Sequence, residues 1–253
     1  MIPPLSYLSL SSSSFNVHII RYVGYANRDS TIYKELYGIA SADTVLRGTL
    51  RYQGFCDAIK GLHAMGLINS DPHPSLHPKG PEISWRQFIC TLFNYPDANI
   101  LLTNLRHMVT ERVGSESRMF ALERLGLFED EPIQKCGSPM DTLTHLLSKR
   151  LAFQSGERDL VIMRHDIGVE WPDGEREMRN INLVVYGDED HTNGYSAMAK
   201  CVGYPAAIAA KMVLQEEIQS KGMVVPMKSE IYHPMLKRLN DLGISAVEKI
   251  TKA

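Results

Sequence analysis

The chain has 253 residues, 44% hydrophobic and 22% charged, the proportions of a chain that folds around a core rather than of a disordered one. A formal net charge of -2 excludes the dense cationic surface that non-specific nucleic-acid binding requires. No segment reads as the roughly 20 apolar residues of a membrane span, so neither nucleic acid nor a membrane is an expected partner.

Residues 1–17 carry a serine run, Ser11 to Ser14, and no basic residue. They read as an irregular leader without the positive region of a secretory or transit signal. His18 to Tyr25 is rich in β-branched and aromatic residues and predicts a strand. A polar turn follows, in which Asp29, Ser30 or Thr31 can cap a short helix at Tyr33 to Tyr37. Thr44 to Tyr52 predicts a second strand, with Gly48 marking the close approach of a ligand or another backbone. Phe55 to Met65 shows apolar residues at helical spacing, closed by Gly66.

Ser84 to Gly126 changes texture. Helices are expected around Ser84 to Phe93, Ile100 to Val113 and Glu116 to Leu125, the first with a Ser84–Gln87 capping box. Pro139 opens the next helix. Asp159 to Trp171 and Glu175 to Tyr186 predict a long hairpin, because Pro172-Asp173-Gly174 is a turn with fixed φ at Pro and freedom at Gly. Tyr195 to Glu217 predicts a long helix kinked or broken at Gly203-Tyr204-Pro205. Ser229 to Leu242 is a last helix and Ile244 to Ile250 a short strand. Strands with inserted helices and no regular βαβ alternation indicate an α+β fold. No G-x-G-x-x-G motif follows a strand, so this stretch offers no dinucleotide turn of its own.

The densest set of chemical groups is Asn27-Arg28-Asp29-Ser30-Thr31 with Arg47-Gly48-Thr49-Leu50-Arg51-Tyr52. Arginine presents a rigid fork of donors that matches a carboxylate. On an extended strand Arg47, Thr49 and Arg51 fall on one face. Such a face suits a small polyanion, and a solvated sheet face is its ordinary alternative. The four cysteines, Cys56, Cys90, Cys136 and Cys201, form no C-x-x-C pair, so reduced thiols are expected rather than zinc or disulfides. His73 and His77 sit in a proline-rich loop, and Gly187 to Asp190 lacks a full calcium-loop spacing. His165 and Asp166 alternate to opposite faces and make a poor dyad.

The two arginine blocks, with Gly156-Glu157-Arg158-Asp159, Tyr195-Ser196-Ala197-Met198-Ala199-Lys200 and Gly203-Tyr204-Pro205, resemble in order and spacing the carboxy-terminal half of saccharopine dehydrogenase of the NADP, L-glutamate-forming type. The resemblance runs over about residues 18 to 250, is nearer to the fungal form than to the animal bifunctional one, and leaves Met1 to Val17 unmatched. It implies a mixed or antiparallel sheet domain of the kind found in the carboxy-terminal part of glyceraldehyde-3-phosphate dehydrogenase. That domain would comprise 18–83 and 138–253, with 84–137 as an inserted helical subdomain, and the Rossmann domain would be missing.

The resemblance also implies a reaction: NADPH reduces the imine of aminoadipate semialdehyde and glutamate to saccharopine, in lysine metabolism. Arg28, Thr49, Leu50 and Arg51 match the family's saccharopine-binding positions, with Asn27 and Arg47 as neighbours. Acid–base residues are not assignable. NADP(H) belongs to the complete enzyme, and this chain alone is expected to hold none and to be inactive. A homodimer is expected, in the cytoplasm, or in mitochondria if the animal relatives are the better guide. The rival reading is a truncated, non-catalytic dimerisation or regulatory module.

Overall fold

The structure is a computed structural model that describes residues 13–17, 20–27, 29–95, 100–189 and 193–252. The chain divides into two compact units, Met1–Ala152 and Phe153–Ala253.

The first unit opens with an antiparallel three-stranded sheet of β1 (Ser13–Val17), β2 (Ile20–Ala26) and β3 (Gly48–Tyr52), in that order. The leader reading is corrected here. Ser13 to Val17 pairs with Gly24 to Ile20, so pairing to a strong strand overrides the weak β-propensity of serine. Between β2 and β3 lies a single helical turn, α1 (Tyr33–Leu36), with no side-chain cap. Asp29 accepts from the Thr31 N–H and hydroxyl instead (2.9 and 2.7 Å). These bonds, the backbone one first, hold the Asp29 carboxyl below its usual value.

The helical body follows: α2 (Phe55–Ala64), α3 (Trp85–Leu92), α4 (Leu102–Val113), α5 (Glu116–Arg124) and α6 (Pro139–Arg150). The Ser84–Gln87 capping box is present, with both bonds made (2.8 and 3.2 Å). One hydrophobic cluster runs from Leu62 through Phe88, Leu105 and Leu122 to Leu143. The helical core therefore starts before Ser84 and ends after residue 137, because α2 and α6 contribute apolar faces to the same interior.

Arg112 ties this body together. Its Nε donates to the Ala64 carbonyl at 3.1 Å and its Nη1 to the Leu92 carbonyl at 3.0 Å. A cation thus sits at the C-termini of α2 and α3, where unpaired carbonyls and the helix dipole favour it.

The second unit is built on the predicted hairpin, β4 (Leu160–Glu170) and β5 (Arg176–Tyr186), with β6 (Val247–Lys252) added antiparallel to β5. Gly174 takes φ +85°, which glycine adopts without steric cost. Helix α7 (Ala197–Leu214) continues without a break through Pro205, against the expected interruption. It packs with α8 (Ser229–Asp241) through Ile208, Met212, Ile231 and Met235. By length and composition α7 could cross a membrane, with 17% of it buried, which corrects the reading that no segment qualifies. All strand pairs among the described residues are antiparallel.

Candidate functional site

β3 lies at the edge of its sheet and carries most of the expected site. Its register on β2 places Thr49 opposite Tyr25, Leu50 opposite Gly24 and Arg51 opposite Val23. Gly48 is needed for that pairing: a Cβ there would stand 2.9 Å from the Tyr25 carbonyl oxygen. The close approach read from the glycine is therefore to the neighbouring strand. Just before β3, the Arg47 carbonyl accepts from the Asn27 N–H at 3.0 Å. Antiparallel alternation then turns the backbone groups of Arg47, Thr49 and Arg51 toward β2 and those of Leu50 toward the open edge.

The expected alternation of three side chains on one strand face holds for Thr49 and Arg51, which are i and i+2 within β3. Arg47 stands outside the strand, which begins at Gly48. Its guanidinium lies over the Tyr33 ring, 4.4 Å from the centroid, and Tyr33 in turn stacks on Tyr37 at 5.5 Å. Arg51 lies over Phe55 at 5.4 Å and donates through Nη1 to the Leu50 carbonyl at 2.8 Å. Both arginines are exposed, whereas Thr49 and Leu50 are half-buried. Asn27 is exposed, and Arg28 lies outside the described residues.

Four described arginines whose side chains are placed, Arg47, Arg51, Arg112 and Arg124, lie over rings with no carboxylate within 4.0 Å among the described residues. Nine described arginines lie within 4.0 Å of a carboxylate: Arg86, Arg106, Arg118, Arg150, Arg158, Arg164, Arg176, Arg179 and Arg238. Arg112 is engaged by the carbonyls of Ala64 and Leu92, whereas Arg124 lies over the exposed Phe120 ring of its own helix. Arg47 and Arg51, four residues apart, have rings beneath them and no carboxylate partner among the described residues. A stacked guanidinium keeps its in-plane donors available, so the pair can receive carboxylates.

A second cluster, which spacing did not reveal as one, brings together two of the quoted blocks in the second unit. Asp159 accepts from the N–H groups of Ala197 (2.7 Å) and Met198 (3.0 Å), and Ser196 from that of Ala199 (3.0 Å), so both cap α7. Gly187 leaves the room this needs, since a Cβ there would overlap Asp159 Oδ1. Asp188 accepts from Lys200 Nζ and from the Tyr195 N–H, and these bonds, Lys200's first, lower its pKa. The residues are 38 and 12 positions apart, a separation that no local pattern reports. This network fastens a helix to a hairpin. Among the described residues no group of three His, Cys, Asp or Glu could hold a metal ion, and none of the four cysteines forms a disulfide.

The saccharopine dehydrogenase C-terminal domain family matches residues 3–244, so the match includes most of the leader that the sequence reading left out. The chain is 44% identical over 222 residues to the mitochondrial alpha-aminoadipic semialdehyde synthase of Bos taurus, covering 87% of this chain and 24% of that protein. It is 40% identical over 231 residues to the NADP(+), L-glutamate-forming saccharopine dehydrogenase of Pyricularia oryzae, covering 90% of this chain and 51% of that one. The bovine identity exceeds the fungal one, which corrects the expected nearness to the fungal form.

The solved structure of the apo, histidine-tagged, L-Glu-forming saccharopine dehydrogenase of Saccharomyces cerevisiae superposes with a TM-score of 0.84 at 34% identity, covering 97% of this chain and 55% of that one. The chain thus spans about half the length of the fungal relatives and about a quarter of the bovine one. Through its sequence and its α+β fold, this chain belongs to the saccharopine dehydrogenase C-terminal domain family.

Proposed function

We propose that this chain supplies the saccharopine-binding portion of an L-glutamate-forming saccharopine dehydrogenase, an oxidoreductase of lysine metabolism. The observation that carries the reading is the pair Arg47 and Arg51, displayed on aromatic rings beside Thr49 and Leu50 with no carboxylate partner among the described residues. Saccharopine is an elongated conjugate with several carboxylates, and bidentate guanidinium contacts give both affinity and orientation to such a ligand. Arg51 and Arg28 clamp carboxylates in this reading, Thr49 adds a hydrogen bond, Leu50 contributes its outward backbone, and Asn27 and Arg47 complete the wall.

In the complete protein NADPH would supply a hydride to the imine carbon formed from aminoadipate semialdehyde and glutamate, with a proton added at the imine nitrogen, giving saccharopine. These residues bind and orient the imine, since a fixed geometry removes much of the entropic barrier. The reading places the NADP(H) site in the part of the relatives' length that this chain does not span.

Homodimerisation and a cytoplasmic location belong to the same reading, and the mitochondrial bovine relative supplies the alternative location. Microscopy of the tagged full-length protein separates the two locations, and sedimentation velocity of the chain tests the dimer, which a monomer at micromolar concentration refutes.

Calorimetric titration of saccharopine into this chain, supplied with the nucleotide-binding part of a relative, tests the site. Heat is expected, and Arg51→Ala weakens binding about 10- to 100-fold, the loss of one charge-assisted contact. Absence of heat, or equal affinity in Arg51→Ala, refutes the assignment. Binding without saccharopine-dependent NADPH formation in the same mixture leaves the non-catalytic module as the better description.

A further inference from the structure

Helix α1 is one turn long and none of its residues is buried. Core packing therefore does not explain why Tyr33 and Tyr37 stack, with rings 5.5 Å apart and 20° from parallel. The stack has another neighbour. The Arg47 guanidinium rests on the Tyr33 ring at 4.4 Å, the nearer of the two arginine–ring contacts in the candidate site, Arg51 to Phe55 being 5.4 Å.

Arg47 needs such a support. It stands one residue before β3, where pairing to β2 is down to a single backbone bond. Its backbone is held by the Asn27 N–H. The loop leading to it is tied to α1, where Lys34 Nζ donates to the Ala42 carbonyl at 2.5 Å. A long exposed guanidinium loses considerable rotamer freedom when it grips a ligand. A flat ring beneath it removes part of that freedom in advance and leaves the in-plane N–H edges open.

We propose that Tyr33, braced by Tyr37, is a positioning residue that presets Arg47 for a carboxylate of the ligand. The inference rests on the reading of this surface as the saccharopine site. Its test is the titration described above, on Tyr33→Leu, Tyr33→Phe, Arg47→Ala and the double variant Tyr33→Leu/Arg47→Ala.

Tyr33→Leu is expected to raise Kd about fivefold, the size of an exposed cation–π contact. Tyr33→Phe, which keeps the ring, stays within about twofold of the parent chain. The double variant binds no worse than Arg47→Ala alone, because the ring acts only through the guanidinium. Unchanged melting temperatures show that the fold is intact. Parent-like affinity in Tyr33→Leu, or a loss that adds in full to that of Arg47→Ala, overturns the inference and leaves the site assignment standing. No binding by the parent chain overturns both.

Discussion

Replacing Gly48 by alanine tests whether the β2–β3 junction is as tight as its geometry indicates. Gly48 is extended, so alanine incurs no backbone strain and gains the reduced chain entropy of a non-glycine residue, about 0.5–1 kcal/mol in its favour. Against this, the new Cβ would lie 2.9 Å from the Tyr25 carbonyl oxygen and 3.5 Å from its carbon. Both atoms are backbone and cannot swing aside. The strands must part by several tenths of an ångström, and overpacking of this kind costs about 1–3 kcal/mol.

The net expectation is a loss of about 1–2 kcal/mol, or about 2–8 °C in Tm for a unit of this size. Gly168→Ala in β4 is the matched control, since its Cβ would meet only Met178 Cε at 3.9 Å; the entropy gain then stands alone, and the variant is neutral or slightly more stable. Thermal unfolding followed by circular dichroism measures both. Equal stability of the two variants refutes the steric argument. Thr49, Leu50 and Arg51 follow Gly48 directly, so the same variant also weakens saccharopine binding if the site is assigned correctly.

Arg112→Ala removes two bonds to helix-terminal carbonyls and a cation–π contact to Phe93 at 5.1 Å. Because the side chain is exposed, the expected loss is only about 1–2 kcal/mol. Chemical denaturation checks it, and a loss below about 0.5 kcal/mol shows that the clamp contributes nothing. Lys200→Met removes the main cause that lowers the Asp188 pKa. A carboxylate lowered in the folded state stabilises above its unfolded value of 3.8 and loses that contribution as pH falls through the lowered one. The melting deficit of Lys200→Met is therefore full at neutral pH and shrinks below about pH 4, whereas a pH-independent deficit assigns it to packing of the lysine stem.

The hairpin β4–β5 was legible because its turn is encoded in three adjacent residues, and α3 because its cap and box lie within one helical turn. β1 was not, since Ser13 and Ser14 have little strand preference of their own and are recruited by Val23 and Gly24 across the ladder. Nor was the continuity of α7, where the proline rule argues from one missing N–H while 18 apolar-rich residues carry the helix past it.

The candidate site divides along the same line. Alternation along β3 assigns Thr49 and Arg51 to one face because strand geometry is local. The partners of the arginines are local for some and distant for others: Phe55 is four residues from Arg51 and Asp166 two from Arg164, but Tyr33 is fourteen residues from Arg47, and the carboxylates that neutralise Arg118 and Arg238 are 61 and 21 residues away. Spacing shows where a guanidinium stands and not whether a carboxylate already satisfies it. A binding wall needs an unmatched guanidinium, a solvated sheet face can carry one too, and the saccharopine titration separates them. Here the three-dimensional contacts leave Arg47 and Arg51 on rings, with their forks unmatched by any described carboxylate, which is the condition a carboxylate ligand requires.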